Sequence, residues 1–474
     1  MTDIKYDGAT IDFELTIPLV IIGAGACGLV AGLAAMSQGI ETVILERDET
    51  PRGSTFMSSG FVPAAGTRFQ HAAGVEDTPA QMADDILRKN HHEADPDIVA
   101  TLAQASGEVI EWLADEHNIP FELVEGFLYP GHSRMRMHCT PRRTGEELMS
   151  CLLNAAERTD LPVLTGAHVT TLHVDDNNKV YGVSFQRRDG TIEQLGCSAL
   201  LLACNGYGGS PALIAQHIPQ MKTGLYFGHE GNQGEAILWG EALGASLKDL
   251  GSYQGHGSLA WPHQTLISWI VMMQGGIQIN QEGKRFSNEH AGYSEQAAKV
   301  LAQPNHIAFN IYDARIHEQC LQFEDYINAQ ETGAIKIFES LELLSEGLGL
   351  PLKAVLNTFH QMEEAQESNE TDLFGRKFIA EQKLLPPYYV IRVTGALFHT
   401  QGGLEITTTG RVLDVQGKKL PNLFAAGGAA RGVSGSGDSG YLSGNGLLSA
   451  VVMGALAGKE AAETASNMSI LTTY

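Results

Sequence analysis

The chain has 474 residues, 43% hydrophobic and 18% charged, with a formal net charge of -24. This is the composition of a folded globular protein of roughly two or three domains. The charge excludes a sequence-independent grip on nucleic acid, which needs clustered Lys and Arg, but leaves open an anionic small molecule held by one or two local cations. Cys27, Cys139, Cys151, Cys197, Cys204 and Cys320 form no CxxC or CxxCH. That pattern leaves no zinc knuckle, redox pair or c-type haem site, and predicts reduced thiols in the cytoplasm.

In chain order, residues 17–35 are apolar enough to be weighed as a membrane helix. Their flanks are acidic, and Gly23, Gly25 and Gly28 interrupt them, so no membrane span is predicted. Residues 18–22 read as a buried parallel strand, 29–38 as a helix closed by Gly39, and 42–46 as the next strand. A Ser/Gly-rich loop covers 53–66, and helices are predicted over 79–90 and 95–117. Residues 163–186 read as a small antiparallel insertion turning at 175–178. A fully apolar strand at 199–204 ends in a glycine turn at 205–209. Between 251 and 385 apolar strands thin out and charged helical segments such as 362–372 appear, the mark of an inserted domain. Strands and glycine turns return at 402–404 and 423–428, and a final helix is predicted from Asn445 to about Thr464.

Gly23-x-Gly25-x-x-Gly28 lies between the first strand and its helix. Glycines there allow a tight turn and close approach of a pyrophosphate, and the helix N-terminus supplies amide donors and positive potential. Glu46, eighteen residues after Gly28, suits the hydroxyls of an adenosine ribose and disfavours a 2′-phosphate, hence NADP. A second glycine turn at Gly427-Gly428, followed by Ser443-Gly444-Asn445-Gly446 at a helix start, favours FAD over NAD. Negative charge developing near flavin N1 and the C2 carbonyl is stabilised by a helix N-terminus. The residues assigned to the cofactor are Gly23, Gly25, Ala26, Gly28 and Glu46, then Ser54, Thr55, Ser59 and Gly60 of the Ser/Gly loop, Gly206, and Gly427, Gly428, Asn445, Gly446 and Leu447. His91-His92-Glu93 resembles a metal pair, but adjacent histidines on one helix point to different faces, so no metal site is predicted.

The opening βαβ unit, Ala203-Cys204-Asn205-Gly206-Tyr207-Gly208, Gly283-Lys284-Arg285-Phe286-Ser287-Asn288-Glu289, His399-Thr400-Gln401-Gly402-Gly403-Leu404 and Asn422-Leu423-Phe424-Ala425-Ala426-Gly427 resemble, in order and over nearly the whole chain, the fumarate reductase/succinate dehydrogenase flavoprotein superfamily, which includes the 3-ketosteroid Δ1-dehydrogenases and related cyclic-ketone desaturases. The resemblance implies an α/β fold: a Rossmann-like FAD-binding domain (βαβ, GxGxxG) at 1–250 and 395–474, interrupted by an α+β catalytic cap domain at 251–394. It further implies a substrate bound between the two over the isoalloxazine. The loop at 53–60 lacks the histidine to which covalent-flavin members attach the cofactor, so FAD is expected to be non-covalent.

Fumarate reductases carry an arginine proton donor shortly after the RFxNE motif and a carboxylate-binding arginine just before the final helix. Here Tyr293 and Tyr441 stand at those places, as tyrosines do in the ketosteroid dehydrogenase branch. The resemblance implies that Tyr293 is the base that removes a proton beside a ketone, and that Tyr441, helped by an amide near Asn445, holds the ketone oxygen. His399 matches the family's substrate histidine, and Tyr129 is a third candidate hydroxyl; each is also consistent with a packing role. A phenol ionises near ~10, so a phenolate base needs a positive field or a donor beside it. Arg142 and Arg143 suit either a surface pair or an acidic substrate group. The leading expectation is FAD-dependent α,β-desaturation of a cyclic ketone, such as 4-oxocyclohexanecarboxylate or a 3-ketosteroid, with hydride transfer to flavin N5 and an unidentified electron acceptor. The alternatives are a fumarate/urocanate-type reductase of an activated double bond and a non-catalytic FAD-binding protein.

Overall fold

The structure, a computed structural model, describes residues 2–126, 128–368 and 370–471. It divides into two compact units: Met1–Ile218, Gly228–Tyr253 and His399–Tyr474 make the first, and Pro219–Phe227 with Gln254–Phe398 the second. The divisions drawn from sequence fell after 250 and after 394; segment Pro219–Phe227, given to the first domain by sequence, belongs to the second unit.

In the first unit the described residues form a nine-stranded sheet. At its centre Ile192–Leu202 runs parallel to Thr16–Ile22 on one side and to Lys419–Ala425 on the other, with Leu201 opposite both Ile21 and Phe424. Thr16–Ile22 is parallel in turn to Thr42–Leu45, and helix Ala26–Met36 crosses between them, completing the predicted βαβ unit. Leu19, Val20 and Ile21 are fully buried, as a strand covered on both faces must be. The helix is built mainly from Ala, Gly, Leu and Val because ten of its eleven residues are buried, and helix Gly454–Leu471 packs along it.

Three sequence expectations change here. Residues 163–186 are no separate insertion: Val163–Leu164 pairs parallel with Thr42–Leu45, while His168–Val174 and Val180–Gln186 extend the main sheet through Gln186 opposite Ile192. His91 and His92 do not lie on a helix. Helix Pro79–Lys89 stops at Asn90, and both histidines take left-handed backbone angles, φ 57° and 61°. No cluster of His, Cys, Asp or Glu among the described residues could hold a metal. Finally, the described residues of the second unit form a seven-stranded sheet where fewer apolar strands were expected. Its longest strand, Tyr388–Thr400, pairs with Ala308–Asp313 and Ile335–Phe338 in antiparallel fashion and with Leu225–Tyr226 in parallel. The neighbouring strand Tyr253–Ala260 reads Tyr-Gln-Gly-His-Gly-Ser-Leu-Ala and shows no apolar alternation. Its buried His256 and Ser258 find partners in the Ser258 amide and the Asn310 side chain, a property that periodicity does not register. The predicted charged helix at 362–372 is the end of Leu352–Ser368.

Among the described residues no helix is long and apolar enough to cross a membrane, and the six cysteines are free.

Candidate active site

The glycine turn after Thr16–Ile22 is held by close contact. A Cβ on Gly28 would lie 1.9 Å from the Gly23 carbonyl oxygen, so only glycine lets the helix begin this close to the strand. Gly25 is the N-cap, and no side chain caps the helix. Two of the amides nearby are already engaged. Ala24 N–H donates to Glu46 Oε2 at 2.8 Å, and Ala26 N–H to Thr55 Oγ1 at 3.2 Å. Glu46 Oε1 also accepts from Asp48 N–H at 2.9 Å, which orients the carboxylate while leaving lone pairs for ribose hydroxyls. Ser54 Oγ accepts from the side-chain amides of Asn205 and Asn232, each at 3.0 Å; its own proton is therefore available to a phosphate or hydroxyl acceptor. Ser58 Oγ accepts from Gly60 N–H and donates to the Thr55 carbonyl, shaping the loop that carries Ser59. Gly206 N–H is taken by the Asn205 side chain. Burial pushes the Cys204 thiol up to about 12, so it stays protonated and unreactive.

The second group of predicted cofactor residues gathers where the chain passes from Gly427–Ala429 to the short helix Asn445–Leu448, which continues through a π-helical turn at Ser449–Met453. Asn445 Oδ1, Ser443 Oγ and Ser449 Oγ are buried without a hydrogen-bond partner among the described residues. Orphaned groups of this kind cost about 1–3 kcal/mol each unless something bound pairs them. The fit with a flavin is good: the ring system offers both an N–H donor and carbonyl acceptors, and the residues around Asn445 would hold it. Leu447 packs against the main core.

His399, near the end of strand Tyr388–Thr400, lies against this helix start. A Cβ on Gly446 would come within 2.6 Å of its ring, so the glycine makes room for the imidazole. The His399 and Tyr441 rings meet edge to face at 5.7 Å, and Tyr441 is only 6% exposed. His399 Nδ1 is 2.8 Å from Gln401 Nε2, and burial pushes its imidazole down to about 4. The structure thus brings His399, Tyr441, Asn445 and Gly446 together. Tyr129 belongs to the same unit. Its loop packs on the Tyr441 segment, since a Cβ on Gly131 would touch Leu442 and His132 Nε2 donates to the Ser443 carbonyl at 3.0 Å. Burial raises the Tyr129 phenol, opposed by Arg143. Arg142 is exposed and pairs with Glu146.

Tyr293 opens helix Tyr293–Leu301 of the second unit and is 8% exposed. Its ring stacks on His256 at 4.8 Å and meets Trp269 edge-on at 6.3 Å. Burial pushes His256 down to about 3. Its Nδ1 accepts from Ser258 N–H at 3.1 Å, and a backbone amide can only donate, so the ring proton sits on Nε2. The helix is tied to the strand carrying His256 by buried amides. Ser294 Oγ accepts from Gly255 N–H, Gln296 Nε2 donates to Gln278 Oε1, Gln278 Nε2 reaches the Gly257 carbonyl and Asn310 Oδ1, and Asn310 Nδ2 donates to Ser258 Oγ. Beside them, Glu289 of the RFxNE motif is fully buried between Arg285 and Arg376, which hold its carboxyl at about 2 against the cost of burial. Sequence reasoning missed His256, Trp269 and Gln401. His256 sits between two glycines in a strand without visible period, and Gln401 differs from other surface-type glutamines only through its partners.

The profile of the FAD binding domain family (FAD_binding_2) matches residues 19–447. A probable fumarate reductase, Ifc3, of Shewanella frigidimarina is 27% identical over 453 residues, covering 95% of this chain and 75% of its own length. Among solved structures, the open conformation of a flavocytochrome c3 fumarate reductase superposes with TM-score 0.80 at 26% identity, covering 97% of this chain and 80% of that one. The 3-ketosteroid-Δ4-(5α)-dehydrogenase of Rhodococcus jostii RHA1 shares the fold, with TM-score 0.77 at 23% identity over 98% of this chain and 100% of that one. The glycine turn, the oriented Glu46, the orphaned acceptors around Asn445 and these likenesses lead to one conclusion: the chain belongs to the FAD binding domain family and is an FAD-dependent oxidoreductase of the fumarate reductase/succinate dehydrogenase flavoprotein superfamily.

Proposed function

We propose that the protein desaturates a cyclic ketone between the α and β carbons, and that FAD, held by the glycine turn, Glu46, Ser54, Thr55 and the Asn445 helix start, supplies the hydride acceptor when bound. The observation that carries this reading is the identity and setting of two residues. Where dicarboxylate reductases place arginines, this chain has Tyr293 and Tyr441, each against an imidazole that burial keeps neutral. A neutral hydroxyl and a neutral imidazole suit a ketone oxygen; two carboxylates call for fixed positive charge.

In this reading Tyr293 acts as a phenolate and takes the α-proton, whose acidity comes from spreading charge onto the adjacent carbonyl, while the β-carbon would give up its hydride to the flavin. Tyr441 and His399 donate to that oxygen as charge develops on it, worth about 3–4 kcal/mol for one well-aimed donor. Trp269 and His256 flank the Tyr293 ring and limit its rotation. A monocyclic oxo-acid and a 3-ketosteroid both carry the required ketone. Anaerobic mixing with a panel of cyclohexanones and 3-ketosteroids tests the proposal: at least one should bleach the oxidised flavin, and bleaching by none of them would refute it.

A second reading is favoured by the 27% identity with a probable fumarate reductase over 453 residues: reduction of an activated double bond. The same groups serve both directions of one reaction, so the choice rests on what is bound. Reoxidation of the chemically reduced protein by fumarate or another enoate, with no bleaching by ketones, would select this alternative.

A further inference from the structure

We propose that Gln401 is a positioning residue that fixes His399 as the Nε2–H tautomer, so that the imidazole donates a hydrogen bond at the substrate oxygen. The inference rests on the assignment of His399 to that oxygen and adds the group that decides which way the ring's proton faces.

His399 Nδ1 has two competing neighbours. The Gln401 side-chain amide nitrogen, a donor, is 2.8 Å away, and the Thr400 carbonyl oxygen, an acceptor, is 3.2 Å away. Whichever wins sets the tautomer. With Gln401, Nδ1 accepts and the proton resides on Nε2; with Thr400, Nδ1 carries the proton and Nε2 becomes a bare acceptor. A bare acceptor would repel a carbonyl oxygen that gathers negative charge.

The orientation of the Gln401 amide is itself dictated from further back. Asn445 Nδ2 lies 3.5 Å from the Val433 carbonyl, which can only accept, and 3.1 Å from Ser434 Oγ. Ser434 Oγ therefore accepts from Asn445 and turns its own proton to Gln401 Oε1 at 2.8 Å. That leaves the Gln401 NH2 facing His399. Asn445, Ser434, Gln401 and His399 so form one chain of donors pointing the same way, and each bond polarises the next. Gln401 cannot drift from it, because its backbone N–H donates to the Ser252 carbonyl and its carbonyl accepts from Gly432 N–H. His256 is locked as Nε2–H by the simpler device of the Ser258 amide. At His399 Nδ1 the Gln401 side chain takes the place that the Ser258 amide holds at His256.

The test is the protonation pattern of the ring, read by 15N-histidine NMR on the FAD-loaded protein, with the His399 signals identified by their loss in His399→Gln. The expected wild-type pattern is a bare Nδ1 and a protonated Nε2. Gln401→Met keeps the volume but removes the amide, so the Thr400 carbonyl should capture the proton and invert the pattern. The rate of flavin bleaching by ketone should fall ~10–100-fold with FAD content unchanged. Ser434→Ala should shift the pattern in the same direction, and Ser434→Thr, which keeps a hydroxyl, should restore it; this pair decides the matter if Gln401→Met does not fold. A wild-type Nδ1–H pattern, or an unchanged pattern in both Gln401→Met and Ser434→Ala, overturns the proposal. An inverted pattern with an undiminished bleaching rate overturns the positioning role. Failure of every ketone to bleach the flavin defeats the desaturase reading instead, and leaves the NMR result to be judged by itself.

Discussion

Removing one oxygen atom from Tyr293 or Tyr441 separates chemistry from packing. Both rings are buried and make aromatic contacts that phenylalanine preserves. Tyr293→Phe should slow anaerobic flavin reduction by substrate ~10²–10⁴-fold, as loss of a general base does. Tyr441→Phe should slow it ~10²–10³-fold, as loss of a carbonyl donor does. Neither change should alter bound FAD or thermal midpoint, and stopped-flow reduction read at the flavin band measures the effect. A full rate in Tyr293→Phe means the base is another group. Both tyrosines stand out in the sequence as candidates because each lies at a fixed offset from a motif. Gln401 was not: its partners are two residues away at His399 and thirty-three away at Ser434, and no local pattern marks the second of these.

The helix that begins at Tyr293 owes its place to amides. Gln278 alone bonds the Gly257 carbonyl, Asn310 and Gln296, all buried. Gln278→Leu should leave at least two of these groups unpaired and lower the unfolding free energy by about 1–3 kcal/mol for each orphan, measurable by urea titration followed at tryptophan. Bleaching should weaken with it, since the same bonds align Tyr293 with His256. The elements of the first unit were readable because local rules suffice: an apolar strand, a glycine turn and a helix of small residues lie within 30 positions. The sheet of the second unit escaped notice because strands such as Tyr253–Ala260 and Ala308–Asp313 carry buried His, Ser, Asn and Asp, whose compatibility with a core depends on partners far along the chain. The helix predicted over 79–90 closes at Asn90, which uses its side chain to accept from Glu93 N–H and to donate to the Val433 carbonyl, turning the backbone out of the helix before His91 and His92.

Over the whole molecule, buried histidines should govern acid sensitivity. Burial pushes His132, His138, His290 and His399 down to about 4 and His256 to about 3. An unfolded histidine titrates near ~6.5. As pH falls below that value the unfolded chain takes up protons that the folded chain refuses, so stability is full above ~6.5 and drops toward pH 4. Asp85 and Glu289, both held at about 2 by arginines, contribute in the same direction, but their loss begins only below ~4. A urea midpoint that stays level from pH 8 to 7 and declines from 6.5 downward is the expected profile. A decline starting only near pH 4 would mean that these imidazoles are hydrated. Trichloroacetic acid precipitation should release the flavin into the supernatant, as the loop at 53–60 offers no histidine for a covalent link.

The neutrality of the imidazoles beside Tyr293 and Tyr441 bears on ionic strength. Attraction between a guanidinium and a carboxylate weakens as the Debye length shrinks from ~10 Å at 0.1 M salt to ~3 Å at 1 M, whereas uncharged donors meeting a ketone have little to screen. The KM for a cyclic ketone should therefore stay level between low and high sodium chloride, while a steep rise would reveal a cation in the recognition of substrate. Where a flavoenzyme of this kind reads its substrate with dipoles, dissolved salt becomes a bystander.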